Sequence, residues 1–192
     1  MMTLLRGVIL VYTKGSPIPI KSDAYKFFGK GSIAGIPVPV IILIIVFLLA
    51  HYILTQTSYG RSVYAVGGNR EAARLSGIRV KTSEFLVYTL NGLMCGMAGL
   101  ILTARLGSAQ STSGTGIEMD AIAAVILGGT SLSGGVGFVL PTVVGAMIMG
   151  IIDNILTLMN VNPHATNIVK GAVILIAVLV DKKVKDLSAK AE

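Results

Sequence analysis

The chain has 192 residues, of which 53% are hydrophobic and 13% charged, and its mean hydropathy is +0.80. Because a soluble domain averages about a quarter charged residues, this composition excludes both a water-soluble single domain and a disordered chain. The formal net charge of +7 is segregated, without the interleaved aromatic residues of a nucleic-acid surface, so we expect no nucleic-acid partner. The single cysteine, Cys95, excludes a disulfide framework and any multi-cysteine metal site, and the sequence predicts no cofactor and no metal.

The amino-terminal segment MMTLLRGVILVYTKG is apolar but is interrupted by Arg6, and its apolar runs are too short to cross a bilayer. It also lacks the pattern of a signal peptide, because no basic residue precedes the apolar stretch and no clear cleavage site follows it. We therefore interpret it as the tail of a longer element.

Five apolar runs follow and predict membrane-crossing helices at residues 38–56, 85–106, 117–133, 136–159 and 165–180. The first is the clearest, since it carries no formal charge and covers roughly 28 Å at ~1.5 Å per residue. The third is short and ends in glycines, which favours a short or broken crossing. Since the hydrocarbon core offers no water to unpaired backbone groups, the predicted fold class is an all-α membrane protein with about five transmembrane helices.

Charge sets the predicted orientation of these spans. Residues 57–83 hold five cations against Glu71, a balance of +4, and the carboxy-terminal tail is rich in lysine. The positive-inside rule therefore places both in the cytoplasm, and five crossings then place the amino-terminal segment outside. Residues 14–37 disagree with this arrangement, because four lysines against Asp23 give them a balance of +3 on the predicted outer side.

The loop at residues 57–83 contains the signals of a short helix. Asn69 can cap its amino end, Glu71 suits the positive end of the helix dipole, and Gly77 can close it in a left-handed conformation. We therefore predict a two-turn helix over residues 70–76. Its small side chains at 72, 73 and 76 suit a groove on another protein, although a helix that merely joins two spans fits the same pattern.

Several ordered sequence blocks resemble one family. Glu71, Ala72, Ala73 and Gly77 match the E-A-A-x-x-x-G core of the cytoplasmic coupling loop in permeases of bacterial ATP-binding-cassette importers. The blocks GRSVYAVGGNREAARLSGI, LNGLMCGMAGLILTARLGSAQ and DAIAAVILGGTSLSGGVG, with the VLVD that ends at Asp181, resemble the ribose and simple-sugar permease family. The resemblance extends from about Leu5 to Lys183 and corresponds to the carboxy-terminal half of a family member.

The resemblance implies a permease subunit that is not itself an enzyme. Its expected partners are a cytoplasmic ATP-binding-cassette ATPase, an extracytoplasmic sugar-binding protein, a second permease chain in a homodimer, and the lipid bilayer of the bacterial inner membrane. The implied fold is half of a vitamin B12 permease-like, type II importer, as a single polytopic domain over residues 1–192 with a coupling loop at 57–83. The residues that the resemblance assigns to ATPase coupling are Asn69, Arg70, Glu71, Ala72, Ala73, Arg74, Leu75, Ser76 and Gly77.

Four polar residues lie inside apolar spans, where unpaired ionisable groups are costly and usually face a bundle interior or a watery cavity. These candidates for the translocation path are Asn91, Asp153, Asn154 and Lys170. An interhelical hydrogen bond is the alternative for Asn91. Asp153 and Lys170 lie on consecutive antiparallel spans, so a structural ion pair is the alternative for them.

The run GGTSLSGGVG lacks the Gly-Lys-Ser/Thr ending of a nucleotide-binding loop, so we predict no bound ATP in this chain. It is either a tight turn between spans or exposed backbone along the substrate route, where Thr130 and Ser131 bind sugar hydroxyls or cap the turn. The predicted outer loop carries Glu118 and Asp120, either as a gate or docking surface or as solvated residues at a helix start.

These observations leave three hypotheses. The first is the membrane-spanning permease subunit of an ATP-driven importer for ribose or a similar monosaccharide, coupled through residues 71–77. The second is an ATP-independent channel or secondary-transporter module that uses Asp153 and Lys170 as an ion-sensitive pair. The third is a non-functional permease fragment.

Overall fold

A computed structural model describes the backbone of residues 2–188 and the side chains of residues 2–162 and 165–179. Nine helices lie within this range: α1 Met2–Thr13, α2 Asp23–Lys30, α3 Val38–Gln56, α4 Ser58–Gly68, α5 Arg70–Leu75, α6 Val80–Leu106, α7 Ile117–Leu127, α8 Val139–Leu158 and α9 Pro163–Ser188. Four two-residue strands accompany them: β1 Ile18–Pro19, β2 Ser32–Ile33, β3 Ile36–Pro37 and β4 Ser108–Ala109. The chain is therefore mostly helical, as predicted, and the short strands are additions that the hydropathy pattern did not indicate.

Among the described residues, three helices, α3, α6 and α8, are long and apolar enough to cross a membrane. Helix α3 has the predicted bounds of the first span, whereas α6 begins five residues before the second predicted span. Helix α7 has only 11 residues, about 17 Å at ~1.5 Å per residue, which is short of a ~30 Å hydrocarbon core. This length agrees with the predicted short or broken crossing, while the count of five crossings stays a prediction.

The fifth predicted span lies in α9. Its apolar part, Ala165–Leu179, is shorter than the three helices above. The helix itself does not end at Asp181, as we expected, but continues to Ser188. Hydropathy marks where apolar residues stop, and the backbone hydrogen bonds of a helix can continue beyond that point.

The first of two structural units contains residues up to Leu49 together with Glu84–Thr115. Strand β1 pairs antiparallel with β4, and β2 with β3. Helix α2 packs against the carboxy-terminal end of α6, where Tyr25 Oη and Thr103 Oγ1 share a hydrogen bond of 2.7 Å. A Cβ atom on Gly29 would collide with the backbone of the fully buried Ala104, so only glycine permits this approach of α2 to α6.

The second unit contains Ala50–Ser83 and the residues from Gly116 onward. Its core is a small cluster in which Ala123 and Ala124 of α7 pack against Met149 of α8, with Val173 and Ile174 of α9 at the edge. The backbones of α7 and α8 come into close contact. A Cβ on Gly128 would lie 2.5 Å from Thr142 Cα, and a Cβ on Gly145 would collide with the carbonyl oxygen of Ala124.

Candidate functional sites

The predicted helix in the loop at residues 57–83 is confirmed as α5, Arg70–Leu75. The side chain of Asn69 accepts hydrogen bonds from the backbone N–H groups of Glu71 at 3.1 Å and Ala72 at 3.0 Å. These bonds satisfy two amides that a helix start leaves without partners. Asn69 is therefore the amino-terminal cap that the sequence predicted.

Gly77 closes the same helix with a φ of +82°. Its N–H donates to Arg74 O at 3.0 Å, and the N–H of Ile78 donates to Ala73 O at 3.1 Å. This pair of bonds is a Schellman motif, in which a left-handed residue satisfies the last carbonyls of a helix. A six-residue helix would fray in isolation, and here both of its ends are fixed.

The two faces of α5 differ. Ala73 is buried, whereas the charged side chains of Arg70, Glu71 and Arg74 are exposed. Glu71 Oε1 lies 3.8 Å from Arg74 Nη1, and these charges, together with Lys81 and Val80, surround an open basin of about 530 Å³. The apolar side chain of Leu75 is 82% exposed. The helix thus presents two cations, one carboxylate and one exposed leucine outward.

Helix α4 contacts the glycine-rich segment that follows α7. The Tyr64 hydroxyl donates a hydrogen bond of 2.9 Å to the carbonyl oxygen of Gly137. A Cβ on Gly67 would lie 2.8 Å from Gly135 N, which is closer than side chains approach backbone. The segment itself forms the predicted turn, with Gly129, Gly134 and Gly135 in the left-handed region, and its place along the substrate route stays a prediction.

A cleft of about 420 Å³ lies beside this contact, and Tyr64, Thr130, Ser131 and Phe138 are among its lining residues. Ser131 is buried and has a local role: its N–H donates to Val136 O at 3.0 Å, and its hydroxyl accepts from the N–H of Ser133 at 3.2 Å. The predicted turn-capping role of Ser131 is therefore present, in a residue that also borders the cleft.

Lys170 joins three helices through two ion pairs. Its Nζ lies 2.8 Å from Asp120 Oδ2 on α7 and 2.8 Å from Asp153 Oδ1 on α8. The ion pair that was one alternative for Asp153 and Lys170 is present, and their place on the translocation path stays a prediction. Asp120, for which the sequence offered a gate or docking surface or a solvated helix start, is an additional member. We call these three residues the ion cluster. Because it holds two carboxylates and one ammonium group, its formal charge is −1.

The remaining path candidates lie outside these groups. Asn91 on α6 and Asn154 on α8 are both exposed. Within the part of the chain that the structure describes, the interhelical hydrogen bond expected for Asn91 is not formed. The contacts of Asn91 and Asn154 within this single chain therefore place neither residue in a site.

Sequence reasoning missed the pairing of Asp120 with Lys170 and missed Tyr64 altogether. A carboxylate three residues inside an apolar helix was a signal that Asp120 needs a partner, and Lys170 was an available cation. Tyr64 gave no comparable signal, because the carbonyl oxygen that it binds is 73 residues away along the chain.

Comparison with known proteins gives consistent matches. The profile of a family described as branched-chain amino acid transport system / permease component matches residues 2–178. The ribose import permease protein RbsC of Escherichia coli (strain K12) is 53% identical over 187 residues, which are 95% of this chain and 58% of that protein. RbsC of Bacillus subtilis (strain 168) is 50% identical over 184 residues, covering 95% of this chain and 57% of the relative.

The xylose transport system permease protein XylH of Escherichia coli (strain K12) is 48% identical over 151 residues, which are 79% of this chain and 38% of that protein. The chain thus spans less than three fifths of the length of these relatives. No solved structure matches the chain.

Proposed function

The chain belongs to the permease family of branched-chain amino acid transport systems, and on this premise we propose that it is the membrane-spanning subunit of an ATP-driven importer for ribose or a similar monosaccharide. It is a multi-pass protein of the bacterial inner membrane. Two of the relatives named above are ribose permeases and one is a xylose permease, which supports a pentose as substrate. As a permease subunit it performs transport and not covalent chemistry, and a separate subunit hydrolyses the ATP.

The proposed topology has five crossings, in half of a type II importer fold. The helices α3, α6, α7, α8 and α9 cross in that order, with α7 completed by the glycine-rich turn. This order places residues 57–83 and the turn on the same, cytoplasmic side. The contacts of Tyr64 with Gly137 and of Gly67 with Gly135 support it, because they join these two segments.

The observation that carries the proposal is the doubly capped helix α5, which we call the coupling helix, within the coupling loop at residues 57–83. Its fixed ends and exposed cations suit a short lever that seats in a groove of a cytoplasmic ATP-binding-cassette ATPase. Closure of the ATPase subunits would push this lever, tilt the attached spans and open the route to the other side. The residues proposed to couple remain the nine at positions 69–77.

The other partners complete the importer. We propose that an extracytoplasmic binding protein delivers the sugar and that two permease chains form the route between them. The proposed route candidates are Asn91, Thr130, Ser131, Asp153, Asn154 and Lys170. The exposure of Asn91 and Asn154 is compatible with positions that a second chain covers.

The first experiment is purification of the tagged chain from native membranes, followed by identification of its partners. We expect an ATP-binding-cassette ATPase to co-purify, and we expect proteoliposomes of the complex and the binding protein to import labelled ribose only with ATP. Unlabelled xylose as competitor tests the substrate range. The proposal would be refuted if no ATPase co-purifies and the uptake of ribose does not depend on ATP.

The coupling role is tested at Gly77, whose φ of +82° suits glycine and is tolerated by asparagine but not by β-branched residues. We expect Gly77→Val to reduce ATP-driven uptake on the order of ten-fold, since strain of ~1–3 kcal/mol would distort the end of the coupling helix. Gly77→Asn is the matched control and should retain most uptake. Equal uptake by wild type and Gly77→Val, at equal membrane insertion, would contradict the coupling role.

One observation favours a second candidate function, transport without ATP. The ion cluster places Lys170 between two carboxylates inside otherwise apolar helices, an arrangement that also occurs in ion-coupled transporters. Uptake that continues after ATP depletion but stops when the ion gradient collapses would favour this alternative. A chain that binds no partner and moves no sugar under either condition would favour a non-functional fragment.

A further inference from the structure

We propose that Tyr64 and three glycines, Gly67, Gly134 and Gly135, relay the movement of the coupling helix directly to the α7–α8 pair, as a route additional to the spans covalently attached to the coupling loop. We call these three glycines the glycine seam. The inference rests on the proposed function, because it describes how the same lever moves the membrane helices.

The relay begins where α4 and α5 meet. Asn69 ends α4, with its N–H donating to Ala65 O at 3.0 Å, and its side chain caps α5. A single residue is thus part of both helix ends and leaves no flexible linker between them. A push on α5 is therefore transmitted to α4.

The glycine seam joins α4 to the turn without side chains. A Cβ on Gly67 would lie 2.8 Å from Gly135 N, and a Cβ on Gly135 would lie 2.8 Å from Gly68 Cα. Gly134 contacts the Gly67 backbone from the same turn. Side chains can absorb a small displacement by changing rotamer, whereas backbone in contact with backbone must move with it.

Tyr64 sets the position of α4 along the seam. Its hydroxyl donates to Gly137 O at 2.9 Å from a partly buried position, one helical turn before Gly67. The glycine contacts limit how closely the two segments can approach each other, and the hydrogen bond restricts sliding between them. Tyr64 is accordingly a positioning residue.

The glycine-rich turn is also coupled to α7 and α8, the two helices that it joins. The N–H of Ser131 bonds to Val136 O across the turn, and beyond it Gly128 and Gly145 bring the backbones of α7 and α8 together. At the end next to the turn, α7 and α8 are therefore in direct backbone contact. Displacement of the turn is thus expected to shift α7 and α8 as one body, and Thr130 and Ser131 would move with them at the cleft.

The first test compares two tyrosines of the same helix in proteoliposomes that contain the co-purified ATPase. Tyr64→Phe removes a hydroxyl that makes a hydrogen bond, whereas Tyr59→Phe removes a buried one that has no hydrogen-bond partner among the described residues. Burial raises the pKa of Tyr59, so at neutral pH its control substitution removes an uncharged hydroxyl. We expect Tyr64→Phe to lower sugar moved per ATP about five-fold, the factor for one lost hydrogen bond, and Tyr59→Phe to leave it unchanged.

The second test adds one methyl group at matched glycines. Gly67→Ala inserts it into the seam, and Gly68→Ala, whose Cβ would make an ordinary 3.8 Å contact, is the control in the same helix. Gly135→Ala collides with α4, and Gly129→Ala is its control, because Gly129 has a similar φ of +76° and open space. We expect each seam variant to lower sugar moved per ATP on the order of ten-fold relative to its control.

The readouts separate a relay from a merely structural role. For a relay, the ATPase still co-purifies and still hydrolyses ATP, and only the ratio of transported sugar to ATP falls. Equal ratios in each seam variant and its control, or a decline of folded complex and transport in strict proportion, would overturn the relay while the wild-type importer still works. A wild-type chain that neither binds an ATPase nor transports sugar would overturn the proposed function, and the relay with it.

Discussion

The bundle of α7, α8 and α9 is held by shape at one end and by charge at the other. Near the turn, Gly128 and Gly145 bring two backbones into contact without polar side chains. At the far end, Lys170 holds Asp120 and Asp153 at 2.8 Å each. The difference implies opposite sensitivities. The turn end should lose stability when a side-chain atom is added to either glycine. The charged end should lose stability when one charge is removed and its partner remains.

The largest expected effect is at the charged end. Lys170→Met would leave two partly buried carboxylates without their cation, and we expect a loss of about 3 kcal/mol, which is the lower limit for removing one partner of a buried ion pair. We take that lower limit because Asp153 remains 39% exposed at its side chain. The loss of stability is measured as the decrease in the thermal unfolding temperature of the variant in lipid nanodiscs.

Two variants sharpen this result. Lys170→Arg preserves the charge and should retain most of the stability. The triple variant Asp120→Asn, Asp153→Asn, Lys170→Met removes all three charges and should be more stable than Lys170→Met alone, because no charge is left without a partner. If Lys170→Met unfolds at the wild-type temperature, charge does not hold this end.

An intermediate effect is expected at the turn end. Gly145→Ala would push a methyl group into the Ala124 carbonyl and force α7 and α8 apart, at a cost of about 1–3 kcal/mol. Gly150→Ala in the same helix has open space and should stabilise it by up to ~1 kcal/mol through helix propensity. The two unfolding temperatures, measured side by side, should shift in opposite directions. A shift of the same sign would show that close packing is not what holds α7 to α8.

The smallest effect separates the two carboxylates. Asp120→Asn should cost about 1 kcal/mol, because Asn keeps an acceptor but loses the charge assistance of the bond to Lys170. Asp153→Asn should cost less, since its side chain is 39% exposed against 22% for Asp120 and water screens it more. The order of the two unfolding temperatures is the measurement, and the reverse order would contradict this ranking.

Local features were predictable from the sequence. The bounds of α3 follow from one uninterrupted apolar run, and the ends of α5 follow from Asn69 and Gly77, whose capping bonds reach only a few residues. The start of α6 was missed because residues 80–84 are polar enough to lie outside the apolar run, yet they are helical.

Apart from the pair of Asp153 and Lys170, which the sequence offered as one alternative, the long-range partners were not predictable from the sequence. Asp120 and Lys170 are 50 residues apart, and Tyr64 and Gly137 are 73 apart. Polarity in an apolar helix indicates that a partner is required, but which partner depends on how the helices pack. The glycine-rich run predicted a turn correctly, while the segment that packs on this turn became visible only in three dimensions.

The small sheet of β1 and β4 has a consequence for how the first unit forms. The nearby bond between Tyr25 and Thr103 closes 78 residues of chain, and a free chain of that length would lose about 4 kcal/mol of entropy on closure. In water, a two-residue strand pair and one such hydrogen bond stabilise the closed chain by less than this entropy cost. In the proposed topology, α3 and α6 cross the bilayer in opposite directions, which would hold the amino-terminal end of α3 and the carboxy-terminal end of α6 at the same membrane surface before the sheet forms. On that topology the lipid would act as a folding template, and we expect this sheet to be among the first elements to unfold on extraction into harsh detergent.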